Sequence, residues 1–141
     1  MVELPLQYTN ELASQIIFIS ALLGGFSLAV LSSQINLNQE NKFRTNMFRS
    51  SAIAACLFLI SIFSMTKILM MTTEGFPFPV TDANLSSAKI IGILCFVGGI
   101  ASLIVLISLS GWVKSPKMGR FTTILGIITF ILLLMNMVEF G

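Results

Sequence analysis

The chain has 141 residues, of which 55% are hydrophobic and only 10% charged, with a formal net charge of +2, two cysteines and no histidine. Its mean hydropathy is +0.94, whereas a soluble domain carries about 25% charged residues, so the composition excludes an ordinary soluble domain and points to the membrane. A charge this small and this local gives no footing for nucleic acid.

The N-terminal "MVELPLQYTNE" holds two glutamates and no basic residue. A secretory leader begins with a basic region, so the first apolar stretch is expected to remain in the mature chain despite the small-residue triplet "SLA" at 27–29. Charge-free intervals over 12–39, 90–113 and 121–138, with a fourth from 50 to 73 interrupted by Lys67 alone, each exceed or approach the roughly 20 residues that cross a hydrocarbon core about 30 Å thick. They predict an all-α, four-helix transmembrane bundle with spans at about 12–35, 51–72, 88–111 and 121–139. One integral membrane domain then takes up residues 1–141.

Within the first span, Gly24 and Gly25 interrupt "SALLGGFSLAVLSSQ", although each glycine inside a helix costs about 1 kcal/mol relative to alanine. Ala21, Gly25, Ala29 and Ser33 recur every four residues, with Ser20 and Gly24 beside them. Such a row lets another backbone approach closely, a common basis of helix association in lipid. It is read as a helix-packing or interface surface, within the chain or between copies.

The stretch "SALLGGFSLAVLSSQINL" at 20–37 resembles the first, pore-lining helix of Orai calcium channels, which also have a four-helix architecture; the pattern centres on Gly25 and Phe26. The family's selectivity glutamate falls on Ser33, and its basic pore stretch falls on or before the apolar Phe18. The resemblance implies an oligomer with helix 1 near its axis, and it carries no calcium selectivity. Orai termini are cytoplasmic, which is the reverse of what the loop charges predict here.

Between spans 1 and 2, "NLNQENKFRTNMFR" carries Lys42, Arg44 and Arg49, and "WVKSPKMGR" between spans 3 and 4 carries Lys114, Lys117 and Arg120. Basic residues in short loops stay cytoplasmic, so segments 36–50 and 112–120 are expected inside. Both termini and the middle loop are then outside, as in a multi-pass protein of a plasma, or bacterial inner, membrane. In that middle loop "FPFP" at 76–79 requires helix 2 to end before Pro77, because proline removes a donor and stops a helix. Tyr8 and Trp112 fall near predicted interfaces, where amphipathic aromatics are favoured.

Lys67 is the single charge in the interior of a span, since Lys89 and Glu139 fall at span ends. It lies near enough to the helix end to snorkel, or to meet Glu139 at similar depth on helix 4. Ser64 is three residues before it, but span hydroxyls more commonly bond to backbone or neighbouring helices than act as nucleophiles. With no histidine and no acidic residue inside the apolar stretches, general acid/base and metal chemistry lack raw material. No enzymatic activity and no cofactor are expected. Cys56 and Cys95 differ in depth by roughly 13 Å at 1.5 Å per residue, too far for a disulfide, and both are read as small core residues.

Helix 3 repeats the small-residue device with Gly92, Cys95, Gly98, Gly99 and Ser102, while helix 4 presents the polar stripe Thr122, Gly126, Thr129 and Asn136. "LLGGFSLAVL" at 22–31 and "FVGGIASLIVL" at 96–106 share a central Gly-Gly, and "MFRSSAI" at 47–53 and "MGRFTTI" at 118–124 share Met, Arg, a hydroxyl residue and Ile; a duplicated helical hairpin would produce both, and so would the chance similarity of apolar helices. The functional expectation is a non-enzymatic membrane protein that self-associates, as an oligomeric channel or pore. The alternative is an accessory or immunity-type protein that binds another membrane protein.

Overall fold

The computed structural model describes residues 5–35 and 41–139. The fold is all-α: α1 (Leu6–Ile35), α2 (Lys42–Thr72), α3 (Asp82–Lys114) and α4 (Pro116–Glu139), of 30, 31, 33 and 24 residues. All four are long and apolar enough to span a bilayer, and the protein is a multi-pass membrane protein.

The helices run past the expected spans, because a backbone can continue its hydrogen bonds after the apolar run has ended. The basic segments are therefore mostly helix rather than loop. Lys42, Arg44 and Arg49 lie on α2, Lys114 closes α3, and Lys117 and Arg120 lie on α4. Residues 36–40 of the expected first loop lie outside the described residues.

Local chemistry sets the ends. Asn41 stands at the cap position before α2, and its carbonyl accepts from the Thr45 amide at 3.0 Å, an arrangement Asn favours. Gly75, at φ 91°, supplies the left-handed residue that turns the chain after α2, and Pro77 follows. Only Ser115 separates α3 from α4. Its hydroxyl accepts from the Met118 amide at 3.3 Å, and Pro116 occupies the first helical position, where a missing N–H costs nothing.

The chain divides into two compact units. One holds α1 up to Phe26 with Ala55–Gly99; the other holds Ser27–Ala54 with the residues from Ile100 onward. In the first unit Phe58 is fully buried. A Cβ at Gly99 would come within 2.8–3.0 Å of three atoms of its ring, and one at Gly24 within 3.3 Å of its Cβ. Phe96 closes the edge of the same ring at 6.3 Å. Ala13, Met65, Ile68 and Ala88 form a second layer. Two polar ties join helices here: Ser61 Oγ donates to the Gly92 carbonyl at 3.0 Å, and Asn10 Nδ2 donates to Thr72 Oγ1 at 3.0 Å. Ser20 is fully buried, and its hydroxyl has no partner among the described residues.

In the second unit glycines seat α4 on α3. A Cβ at Gly111 would strike the Thr122 hydroxyl, one at Gly119 would strike the Trp112 ring, and one at Gly126 would lie 2.8 Å from Ser108 Oγ. Thr122 Oγ1 lies 3.1 Å from the Ser108 carbonyl and close to carbonyls of its own helix. Trp112 donates through Nε1 to Thr123 Oγ1 at 3.1 Å and stacks on Phe43 at 6.1 Å.

Truncating Phe58 to alanine removes the central ring and is expected to cost about 2–3 kcal/mol, chiefly through the cavity it leaves. Gly99→Ala gains helix propensity of about 1 kcal/mol but overpacks a rigid ring at a cost of about 1–3 kcal/mol. It should melt below the wild type in detergent. Ser20→Ala removes an unpaired buried hydroxyl and should melt at or above the wild type.

Candidate functional site

The buried residues of α1 are Thr9, Ala13, Ser20, Gly24 and Ser27, and those of α3 are Ala88, Gly92, Gly99, Leu103, Leu106 and Gly111. The first five on each helix have the same spacing, and α2 follows a related rhythm through Ser51, Ala55, Phe58, Ser61, Met65 and Ile68. Alternation of three- and four-residue steps drifts only about 20° per heptad, so it holds one face against neighbouring helices. A strict four-residue row advances about 40° per step at 3.6 residues per turn and rotates away from that face.

This geometry separates the two glycines of α1. Gly24 is buried against Phe58, whereas nothing lies within 4 Å of a Cβ built at Gly25. Ala21, Gly25, Ala29 and Ser33 are all exposed, and Phe26 beside them is 58% exposed. The every-four row expected to pack is thus uncovered, and the Ser20–Gly24–Ser27 row takes the intrachain contacts. On α3, Gly92 and Gly99 are buried and Gly98 is half-buried against Leu57. The two Gly-Gly pairs are therefore used differently, with the first glycine packed in α1 and the second in α3.

On α4 the polar stripe splits. Thr122 and Gly126 meet α3, while Thr129 and Asn136, farther along the same face, are exposed. Thr129 Oγ1 donates to the Leu125 carbonyl at 2.8 Å, and Asn136 Nδ2 reaches the Leu132 carbonyl only at 3.4 Å. Exposed apolar residues surround them, including Ile128, Leu132 and Met135.

Lys67 is exposed and lines a groove of about 590 Å³. Ser64, by contrast, faces Gly92 on α3, where a Cβ would stand 3.2 Å from its own. The Glu139 side chain, expected beside Lys67, lies outside the described residues. Cys56 is exposed and Cys95 half-buried. The core reading of Cys56 is thereby corrected: Ala55 and Phe58 hold the buried face of α2, and Cys56 falls to its side. Among the described residues no group of three or more His, Cys, Asp or Glu side chains could hold a metal.

Gly111 and Gly119 are packing residues that a search for Gly-Gly pairs and four-residue rows does not reveal. Their signal is a glycine in each helix flanking a one-residue link. No protein-family model matches the chain, and no curated protein or solved structure is significantly similar to it.

The two glycines of α1 give a paired test. Gly25→Leu should leave the melting temperature of the detergent-solubilised monomer within about 2 °C of wild type, in line with surface substitutions. Gly24→Leu drives a side chain into Phe58 and should abolish a cooperative melt.

Proposed function

We propose that the protein is a non-enzymatic membrane protein that self-associates through α1, its assembly forming a small channel or pore. The observation that carries this reading is the uncovered row Ala21, Gly25, Ala29 and Ser33. Four-residue rows of small side chains suit close, right-handed helix crossings in lipid, a geometry distinct from the three-and-four rhythm of the intrachain contacts. Asn136 supports it from α4, since a side-chain amide facing hydrocarbon is costly without a good partner. The likeness of 20–37 to the first helix of Orai channels agrees with an α1 near an oligomer axis; Ser33 in place of an acidic residue gives no basis for calcium selectivity.

The reading includes an orientation. Lys42 and Arg44 open α2, and Lys117 opens α4, where positive charge opposes the helix dipole by about 0.3–1 kcal/mol each. Helix stability does not account for their placement; retention on the cytoplasmic side does. With this end inside, both termini and the 73–81 loop are outside.

The second reading, an accessory protein docked on another membrane protein, uses the same uncovered row. Gly25→Cys in a background lacking Cys56 and Cys95 separates the two. Self-association predicts disulfide-linked dimers of this chain in native membranes, conductance by the purified oligomer in planar bilayers, and loss of both assembly and conductance in Gly25→Leu. A monomer that crosslinks at position 25 only to a different protein would establish the accessory reading. For the orientation, Asp82→Cys should react with an impermeant maleimide on intact cells, and Lys117→Cys only after permeabilisation.

A further inference from the structure

We propose that the groove beside Lys67 is a binding site for an anionic phospholipid, with the phosphate on the lysine and one acyl chain along the apolar wall. The groove lies wholly within the first unit, between the last turns of α2 and the "FPFP" segment, and its volume is about 590 Å³. That is within the range of sites that take small organic ligands, about 300–1,000 Å³. Phe63, Met70, Phe76 and Phe78 supply the apolar wall. Phe76 and Phe78 meet edge to face at 5.9 Å, so the loop presents a preformed aromatic flank.

Charge selects the occupant. Among the described residues Lys67 is the one charged residue lining the groove, and its polar companions are Thr66 and Asn84. Thr66 spends its hydroxyl proton on the Ile62 carbonyl at 2.7 Å, which leaves the Lys67 ammonium and the Asn84 amide as donors. Among the described residues no carboxylate lines the groove to neutralise the ammonium or repel an anion. Lys67 lies five residues before the end of α2 at Thr72, or about 8 Å along the axis. A long stem at that depth reaches headgroup level, and the apolar wall extends beside it. A zwitterionic lipid offers the same chains but also a positive group, so the lysine favours phosphatidylglycerol-like headgroups by about fivefold, the effect of one basic residue at an anionic surface. The inference holds for either orientation in the membrane and does not depend on self-association.

The test uses purified full-length protein in detergent and a phosphatidylglycerol probe carrying a diazirine midway along one acyl chain, with crosslinked peptides mapped by mass spectrometry. Expected are adducts within residues 63–84, displaced by unlabelled phosphatidylglycerol about fivefold more effectively than by phosphatidylcholine. Lys67→Met should erase that preference, Lys67→Arg should keep it, and Lys42→Met, remote in sequence from the groove, should not alter it. Phe78→Ser, on the exposed loop, should lower labelling of residues 63–84 by the probe and serves should Lys67→Met fail to fold. Undiminished headgroup preference in Lys67→Met, equal competition by phosphatidylcholine, or adducts mapping elsewhere would overturn the proposal. Stronger displacement by a free fatty acid than by phosphatidylglycerol would likewise count against a phospholipid.

Discussion

Phe58 fills the space that side chains at Gly24, against its Cβ, and at Gly99, against its ring, would otherwise occupy, and three helices meet at that contact. In lipid the tails are as apolar as the side chains, so burying a phenylalanine gains little from leaving the solvent. What it gains is dispersion contact, which requires close approach. Glycine on both flanking helices permits that approach, and the helix-propensity cost of Gly24 and Gly99 is offset there. Gly111, Gly119 and Gly126 achieve the same end between α3 and α4, with Trp112 and Thr122 as the larger partners. The protein is thus held by large side chains set against absent ones.

The existence of four spanning helices was legible from charge-free intervals alone. Helix ends were less so, because Lys42, Arg44 and Lys117 read as loop residues by charge although the backbone around them is helical. The choice of face on α1 was not legible. Ser20, Ala21, Gly24, Gly25, Ser27, Ala29 and Ser33 place small residues around much of the helix, and only the rhythm of α2 and α3 shows which row can stay in register. Cys56 was misplaced for a related reason: a small residue on a spanning helix is as acceptable against lipid as in the core. Thr122 and Gly126 were recognisable from their spacing, whereas the division of their stripe at Thr129 depends on how far α4 stays against α3.

Besides the buried Ser20 and the hydroxyls bonded within their own helix, two kinds of polar group stand out. Ser61, Asn10 and Thr122 make ties between helices, where a hydrogen bond replaces one that water would otherwise supply. Lys67, Thr129 and Asn136 are exposed instead, in surroundings that are largely apolar. Groups of the first kind fix which helices adjoin. Those of the second kind lie on the surface of the monomer, where the proposed anionic headgroup at Lys67 and the proposed neighbouring helix at Asn136 would meet them.

The helices are unequal in length. At 1.5 Å per residue, α1 to α3 measure about 45–50 Å, whereas the 24 residues of α4 measure about 36 Å. A hydrocarbon core is about 30 Å thick, so the longer three must tilt or project through the headgroups while α4 nearly matches the core. α4 is also almost wholly exposed beyond Phe130, and therefore has little protein contact to oppose a change in its tilt. Of the four helices α4 therefore has the least length to spare: a bilayer a few Å thicker uses up most of its excess, whereas α1 to α3 can meet the change by tilting less.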